Sequence, residues 1–138
     1  MYDIITIGSA VRDIMFATTT AKTFRNPSRS ATEAQLIGFE YGAKIHSDIV
    51  HRYYGGGANN TAVGLARLGL RVATCICVGV DGEGDAMIQH LRREHVATNF
   101  VQRTSKYATG FSFLVVETKT NEHVAFVDYG ANQALRVP

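Results

Sequence analysis

Three glycines run into two asparagines in Gly55-Gly56-Gly57-Ala58-Asn59-Asn60-Thr61-Ala62, and this stretch constrains the fold more than any other. Glycines there permit torsions and backbone approaches that a Cβ would block. The asparagines fall where a helix takes an N-cap, and Gly69 stands where a C′ residue would close that helix. Between them Ala62, Leu65, Ala66 and Gly69 recur at helical spacing, and the small residues let the helix lie close on a sheet. A glycine turn that opens into a helix offers N–H groups and a positive dipole end to a polar ligand. A tight loop with an ordinary cap accounts for the same eight residues, so the wider spacing has to decide.

Length and composition narrow the alternatives. At 138 residues the chain has one domain's worth of sequence. A net charge of +2, with dispersed Lys and Arg, argues against a nucleic-acid partner. No apolar run is long enough to span a bilayer, and Met1-Tyr2-Asp3 leads into a strand without a basic leader, so a cytoplasmic protein is expected. Cys75 and Cys77 lie two apart in an apolar run, too close for a comfortable disulfide, and read as buried small hydrophobes. His46 and His51 are five apart, as are His90 and His95, whereas helical metal pairs need three or four. No metal site is expected.

Taken in order, Tyr2–Ile7 reads as a buried strand, and the loop Gly8–Asp13 puts Asp13 just past its C-terminal edge, where open α/β sheets bind ligands. Ile14–Thr20 looks extended, Ala21–Gln35 irregular, and Leu36–Tyr54 strand-like. Arg71–Val78 is a continuous apolar run, as in a strand covered on both faces. A turn at Asp81–Gly84 precedes a helix over Asp85–His95, whose buried stripe is Met87, Ile88 and Leu91. Ala97–Arg103 gives a short strand, and Thr109–Glu117 with His123–Tyr129 a hairpin. Alternating β and α elements with antiparallel insertions indicate an α/β fold with a side sheet.

The wider spacing now bears on function. Gly56-Gly57-Ala58-Asn59-Asn60, then Ala62, Gly69 and Gly79, resembles the first signature of the ribokinase-like (PfkB) family of sugar and nucleoside kinases. Gly8-Ser9 with Asp13, Gly79-Val80-Asp81-Gly82-Glu83-Gly84, Thr109-Gly110 and Gly130-Ala131-Asn132 are similar to further family segments, in the same order. The resemblance covers nearly the whole chain, although a typical member is longer. It implies a partial ribokinase-like three-layer core over residues 1–138, with an antiparallel β lid whose strands lie at about 14–20, 36–54 and 109–129. It implies that Asp13, Gly56, Gly57 and Asn60 contact the hydroxyls of a sugar or nucleoside acceptor, with Asn59 as a cap. Close sugar kinases often carry a lysine where this chain has Gly57.

The family also implies ATP and Mg²⁺, but neither a P-loop nor a Gly-x-Gly-x-x-Gly occurs here. The family's second signature, Gly-Ala-Gly-Asp, supplies the anion hole and the catalytic aspartate. Gly82-Glu83-Gly84-Asp85 imitates it but lies in the first-half turn, so Asp85 is read as a first-turn acidic residue. No catalytic residue is therefore assigned, and the 138-residue chain by itself is expected to be inactive. The leading expectation is the acceptor-binding part of an ATP-dependent kinase. The alternative is a non-catalytic half-domain that binds a small polyol or serves assembly, and a Rossmann dehydrogenase is disfavoured for want of a dinucleotide fingerprint. A homodimer, or a second chain completing the sheet, is expected because apolar strand edges pair.

Overall fold

The computed structural model describes residues 1–27, 35–47 and 49–137. In chain order the elements are β1 (Ile4–Ile7), β2 (Val11–Thr18), β3 (Lys22–Arg25), β4 (Gln35–Gly38), β5 (Ile49–Gly55) and α1 (Gly57–Arg67). Then follow β6 (Val72–Cys75), β7 (Cys77–Gly79), α2 (Gly82–Arg93), β8 (Gln102–Thr104), β9 (Phe111–Glu117), β10 (His123–Asp128) and a 3-10 turn over Gly130–Ala134. They divide into two compact units, one of residues 1–13, 52–112 and 127–138, the other of residues 14–51 and 113–126.

The first unit is built on a parallel sheet. β6 pairs with β1 in the register Ile4↔Val72 to Ile7↔Cys75, and Ala73 also bridges Ala97 in parallel. β7 continues the same run after Ile76 and pairs in parallel with β8. Every residue from Val72 to Gly79 is buried, as a strand with neighbours on both edges and cover on both faces requires. On this sheet α1 lays Ala58, Asn59, Ala62 and Val63, and α2 lays Gly84, Met87 and Leu91. Ala58, Ala62, Val63, Met87 and Leu91 of these helices make the core together with Ala10, Val72, Ile76, Val78 and Val96. Cys75 and Cys77 are buried free thiols there; burial, with Cys75 beside it, pushes the Cys77 thiol up.

Both helices end as their sequences dictate. Gly69, at φ 89, donates to Ala66 while Leu70 donates to Leu65, a left-handed C′ closure of α1. α2 ends the same way, with His95 donating to Arg92 and Val96 to Leu91, but His95 adopts φ 59 with a side chain attached. His95→Gly is therefore expected to stabilise the protein by about 0.5–1 kcal/mol, read as a raised thermal unfolding midpoint. An unchanged or lowered midpoint would show that the His95 side chain earns its strained backbone.

Several sequence-based expectations are corrected. Ile4, Ile5 and Ile7 of β1 are exposed and not buried. The stretch read as strand-like over Leu36–Tyr54 has strand, among the described residues, only in β4 and β5. The strand expected over Ala97–Arg103 is β8 at Gln102–Thr104, with Ala97 in an isolated bridge. Asp13 is the third residue of β2 and not part of a preceding loop, because the strand starts at Val11. α2 begins at Gly82, since Asp81 caps it by accepting from Gly84 N at 2.7 Å and draws the expected turn into the helix. The segment Ala21–Gln35, read as irregular, contains β3 and meets β4, which pair antiparallel from Lys22↔Gly38 to Arg25↔Gln35. Its four β3 residues are all exposed, so no alternation marked them. Residues 28–34 of that segment lie outside the described residues.

A four-stranded sheet has the order β10-β9-β2-β5. In the second unit Phe16 packs on Phe113 at 4.9 Å between ring centroids, and Phe113 on Phe126 at 6.4 Å. The turn after β9 is organised by Glu117, whose buried carboxylate accepts from the backbone N–H groups of Lys119 and Thr120 and from the Thr120 hydroxyl. The Lys119 N–H bond is the largest influence holding that carboxyl below its ordinary range.

Candidate functional site

Asp13 is held by its neighbours within the first unit. Ser112 donates its hydroxyl to Asp13 Oδ1 at 2.5 Å. Oδ2 lies where a Gly55 Cβ would stand, only 1.8 Å from that position, so a side chain at 55 would evict the carboxylate. The carboxylate thus sits directly on the chain entering the glycine turn. A carboxylate so placed accepts up to two hydroxyl hydrogen bonds from a polyol.

Gly56 takes φ 96, and a Cβ there would meet Ser9 O at 2.5 Å and Ala10 Cα at 2.7 Å. That close approach brings the β1–β2 loop onto the start of α1. Ser9 Oγ accepts from Gly57 N at 3.1 Å, and Ser9 O accepts from Ala58 N and Asn59 N. The helix terminus expected to face a ligand is therefore filled by Ser9. Neither asparagine caps α1, whose N-cap is Gly56. Asn59 is buried, donating from Nδ2 to Tyr54 O at 3.0 Å and to Asn60 Oδ1 at 3.2 Å. Asn60 is exposed in the first helical turn, and open space lies over Gly57. Asp13 and Gly56 are thus brought to one place through Gly55, and Gly57 and Asn60 follow along the helix.

Sequence reasoning missed the supports of this arrangement. Asn132 accepts from Ala10 N at 2.8 Å and donates to Ala10 O at 2.9 Å and Tyr129 O at 2.8 Å, clamping the loop that carries Ser9. Its place in Gly130-Ala131-Asn132 was the available signal. On the other side of β2, Arg12 lies over the Tyr54 ring at 4.5 Å, and His90 stacks on Tyr54 at 4.4 Å. Alternation along a strand sends Arg12 and Asp13 to opposite faces. Burial holds the His90 pKa below its ordinary value; the Glu94 carboxylate works against this, and Arg93, Arg67 and Arg12 reinforce it.

The other glycine turn is structural in its contacts. Asp81 Oδ1 accepts from Gly84 N and from the Thr109 hydroxyl at 2.6 Å, and Oδ2 accepts from Thr109 N at 2.7 Å. Burial alone would raise the Asp81 pKa, but these hydrogen bonds outweigh it and bring it below the ordinary carboxylate value. Asp85 pairs with Arg103 at 2.8 Å, and Glu83 with Arg12 at 3.5 Å.

These groups do not suit phosphate or Mg²⁺. The N-terminus of α1 is occupied by Ser9, while that of α2 carries Asp81, Glu83 and Asp85, a charge that repels phosphate. Among the described residues no three His, Cys, Asp or Glu side chains group around a common point. The described helix ends do not fit a triphosphate. No helix among the described residues is long and apolar enough to cross a membrane.

Residues 23–137 match the model of the pfkB family carbohydrate kinases. Ribokinase of Haemophilus influenzae is 37% identical over 82 residues, 59% of this chain and 26% of that protein. The solved ribokinase of Giardia lamblia superposes with a TM-score of 0.75 at 21% identity, over 99% of this chain and 36% of that one. Arabidopsis thaliana ribokinase, solved with ribose and ATP, superposes with a TM-score of 0.71 at 19% identity, over 94% and 36% of the two chains. The chain therefore has part of a ribokinase-like α/β core and spans little more than a quarter of the length of the curated relatives it matches. It belongs to the pfkB family of carbohydrate kinases.

Proposed function

We propose that this chain forms the acceptor-binding part of an ATP-dependent kinase that phosphorylates a hydroxyl of a sugar or nucleoside. The observation that carries the reading is the Asp13 carboxylate, fixed by Ser112 over the side-chain-free Gly55 beside Gly56. Asp13 grips acceptor hydroxyls, the Gly56–Gly57 backbone lets the acceptor approach, and Asn60 adds an amide. Orienting the acceptor is the contribution such residues make to phosphoryl transfer. ATP and Mg²⁺ supply the phosphoryl group and its charge neutralisation, through residues other than the two helix ends described above. A cytoplasmic location suits an enzyme that consumes ATP, and the 138 residues alone turn over no acceptor.

Asp13→Ala in the catalytically competent protein is expected to weaken acceptor binding by about 1.5–3 kcal/mol, the range for a charged hydrogen bond, with little change in ATP affinity. Steady-state kinetics with ribose, fructose and nucleosides measure it. Unaltered acceptor KM and kcat would sink the assignment.

The alternative, an assembly or polyol-binding module, is favoured by a different observation: Ile5 and Ile7 on β1 are 47% and 50% exposed. Apolar side chains on a sheet strand are expected to be covered by a second copy or by a completing chain. Light scattering at several dilutions tests this, and a concentration-independent monomer overturns it.

A further inference from the structure

Within the first unit a cavity of about 470 Å³ opens beside Tyr54, the residue over whose ring Arg12 lies, between α1, α2 and the end of β5. That volume is in the range of small-molecule sites. Its lining is basic and amide-rich: Arg52, Arg67, His90, Asn59 and Asn60 contribute, and no carboxylate among the described residues lines it. Arg67 spends Nε and one Nη2 hydrogen on Glu94, at 2.8 Å each, and keeps its remaining N–H groups. Arg52 enters none of the ion pairs among the described residues.

Two independent features point to a ligand. Asn59 is 1% exposed, yet its Oδ1 is the buried side-chain oxygen that lacks a hydrogen-bond partner among the described residues. A buried acceptor of that kind calls for a donor. Gly64 lines the same cavity from mid-helix, and no atom lies within 4 Å of the place a Cβ would take. A helical interior glycine costs about 0.5–1 kcal/mol against alanine, and no contact among the described residues requires it here. It leaves room.

We propose that this cavity binds a small phosphorylated polyol, the phosphate on the Arg52 and Arg67 guanidinium groups and a hydroxyl donating to Asn59 Oδ1. Guanidinium forks match phosphate oxygens, while an uncharged sugar leaves the cationic wall unanswered. The inference rests on the charge and hydrogen-bond pattern of this cavity and not on the acceptor reading. Asn60 belongs to both sites, so occupancy of this cavity alters acceptor affinity where the acceptor reading holds.

Calorimetric titration of the 138-residue chain with a hexose 6-phosphate, the free hexose and inorganic phosphate is the test. The hexose phosphate is expected to bind, and Arg52→Ala to weaken it by about tenfold or more. Gly64→Leu is expected to abolish binding by filling the cavity, and Asp13→Ala to leave it within about twofold. Thermal unfolding of each variant checks the fold; should Gly64→Leu not fold, Arg52→Lys, which keeps charge but loses the fork, is expected to bind less tightly than wild type. No binding of the hexose phosphate overturns the proposal. So does equal binding of inorganic phosphate, or equal binding of free hexose by Asp13→Ala, where the acceptor site is disabled. So does loss of hexose phosphate binding in Asp13→Ala with Arg52→Ala unaffected, which would move the ligand to the acceptor site.

Discussion

Gly56→Ala is expected to cost about 2–5 kcal/mol of stability, the sum of a left-handed backbone forced on an alanine and a Cβ driven into main chain. The atoms it would strike, Ser9 O and Ala10 Cα, belong to the backbone and cannot rotate aside. Small domains hold only about 5–15 kcal/mol in total, so this one methyl removes a large fraction. Gly57→Ala is the control: its Cβ meets no atom within 4 Å and its φ is ordinary, so stability is expected to hold or rise slightly. Chemical denaturation of the pair gives the difference. Equal midpoints for both variants would mean that the β1–β2 loop yields, and that Ser9 is not locked onto α1.

The second large effect is at Asp81. Asp81→Asn is expected to cost about 2–4 kcal/mol, because the amide cannot accept from Gly84 N, Thr109 N and the Thr109 hydroxyl together. It also changes the acid limb. The folded pKa of Asp81 lies below the ordinary 3.8, as does that of Asp3, brought to about 2 chiefly by the Arg71 side chain. Depressed carboxylates bind protons first in the unfolded chain, so their stabilisation is complete well above pH 3.8 and fades as the pH falls through the folded values. Stability measured from pH 6 downward should fall less steeply in Asp81→Asn than in wild type. Identical slopes would show that Asp81 titrates normally in the folded protein.

What sequence reasoning caught and missed follows from the range of the forces involved. The Gly69 closure of α1 and the buried run through Val72–Val78 come from residues close in sequence, and these were legible. Of the expected stripe Ala62, Leu65, Ala66 and Gly69, however, only Ala62 is fully buried, and the helix buries Ala58, Asn59 and Val63 with it. The exposed β3 was not, since its order comes from pairing with β4. At the candidate site the residue types were legible, but their company was not. Ser9 filling the helix terminus, Ser112 reaching Asp13 across 99 positions, and Tyr54 between Arg12 and His90 are all products of tertiary packing. An N-terminus that seems open in a sequence has no way of announcing which distant side chain will close it.

The Asn132 clamp on Ala10 joins residues 122 positions apart, and the first unit is assembled from three separated segments of chain. At ribosomal rates of about 5–20 residues per second, residues 1–13 wait on the order of 6–25 seconds for that clasp to be synthesised. Contacts so remote in sequence also slow the search for the native state. During that interval β1, with its exposed isoleucines, has no finished unit to join. The nascent chain is then a natural client for chaperones, and its yield on expression should respond to them more than its final stability would suggest.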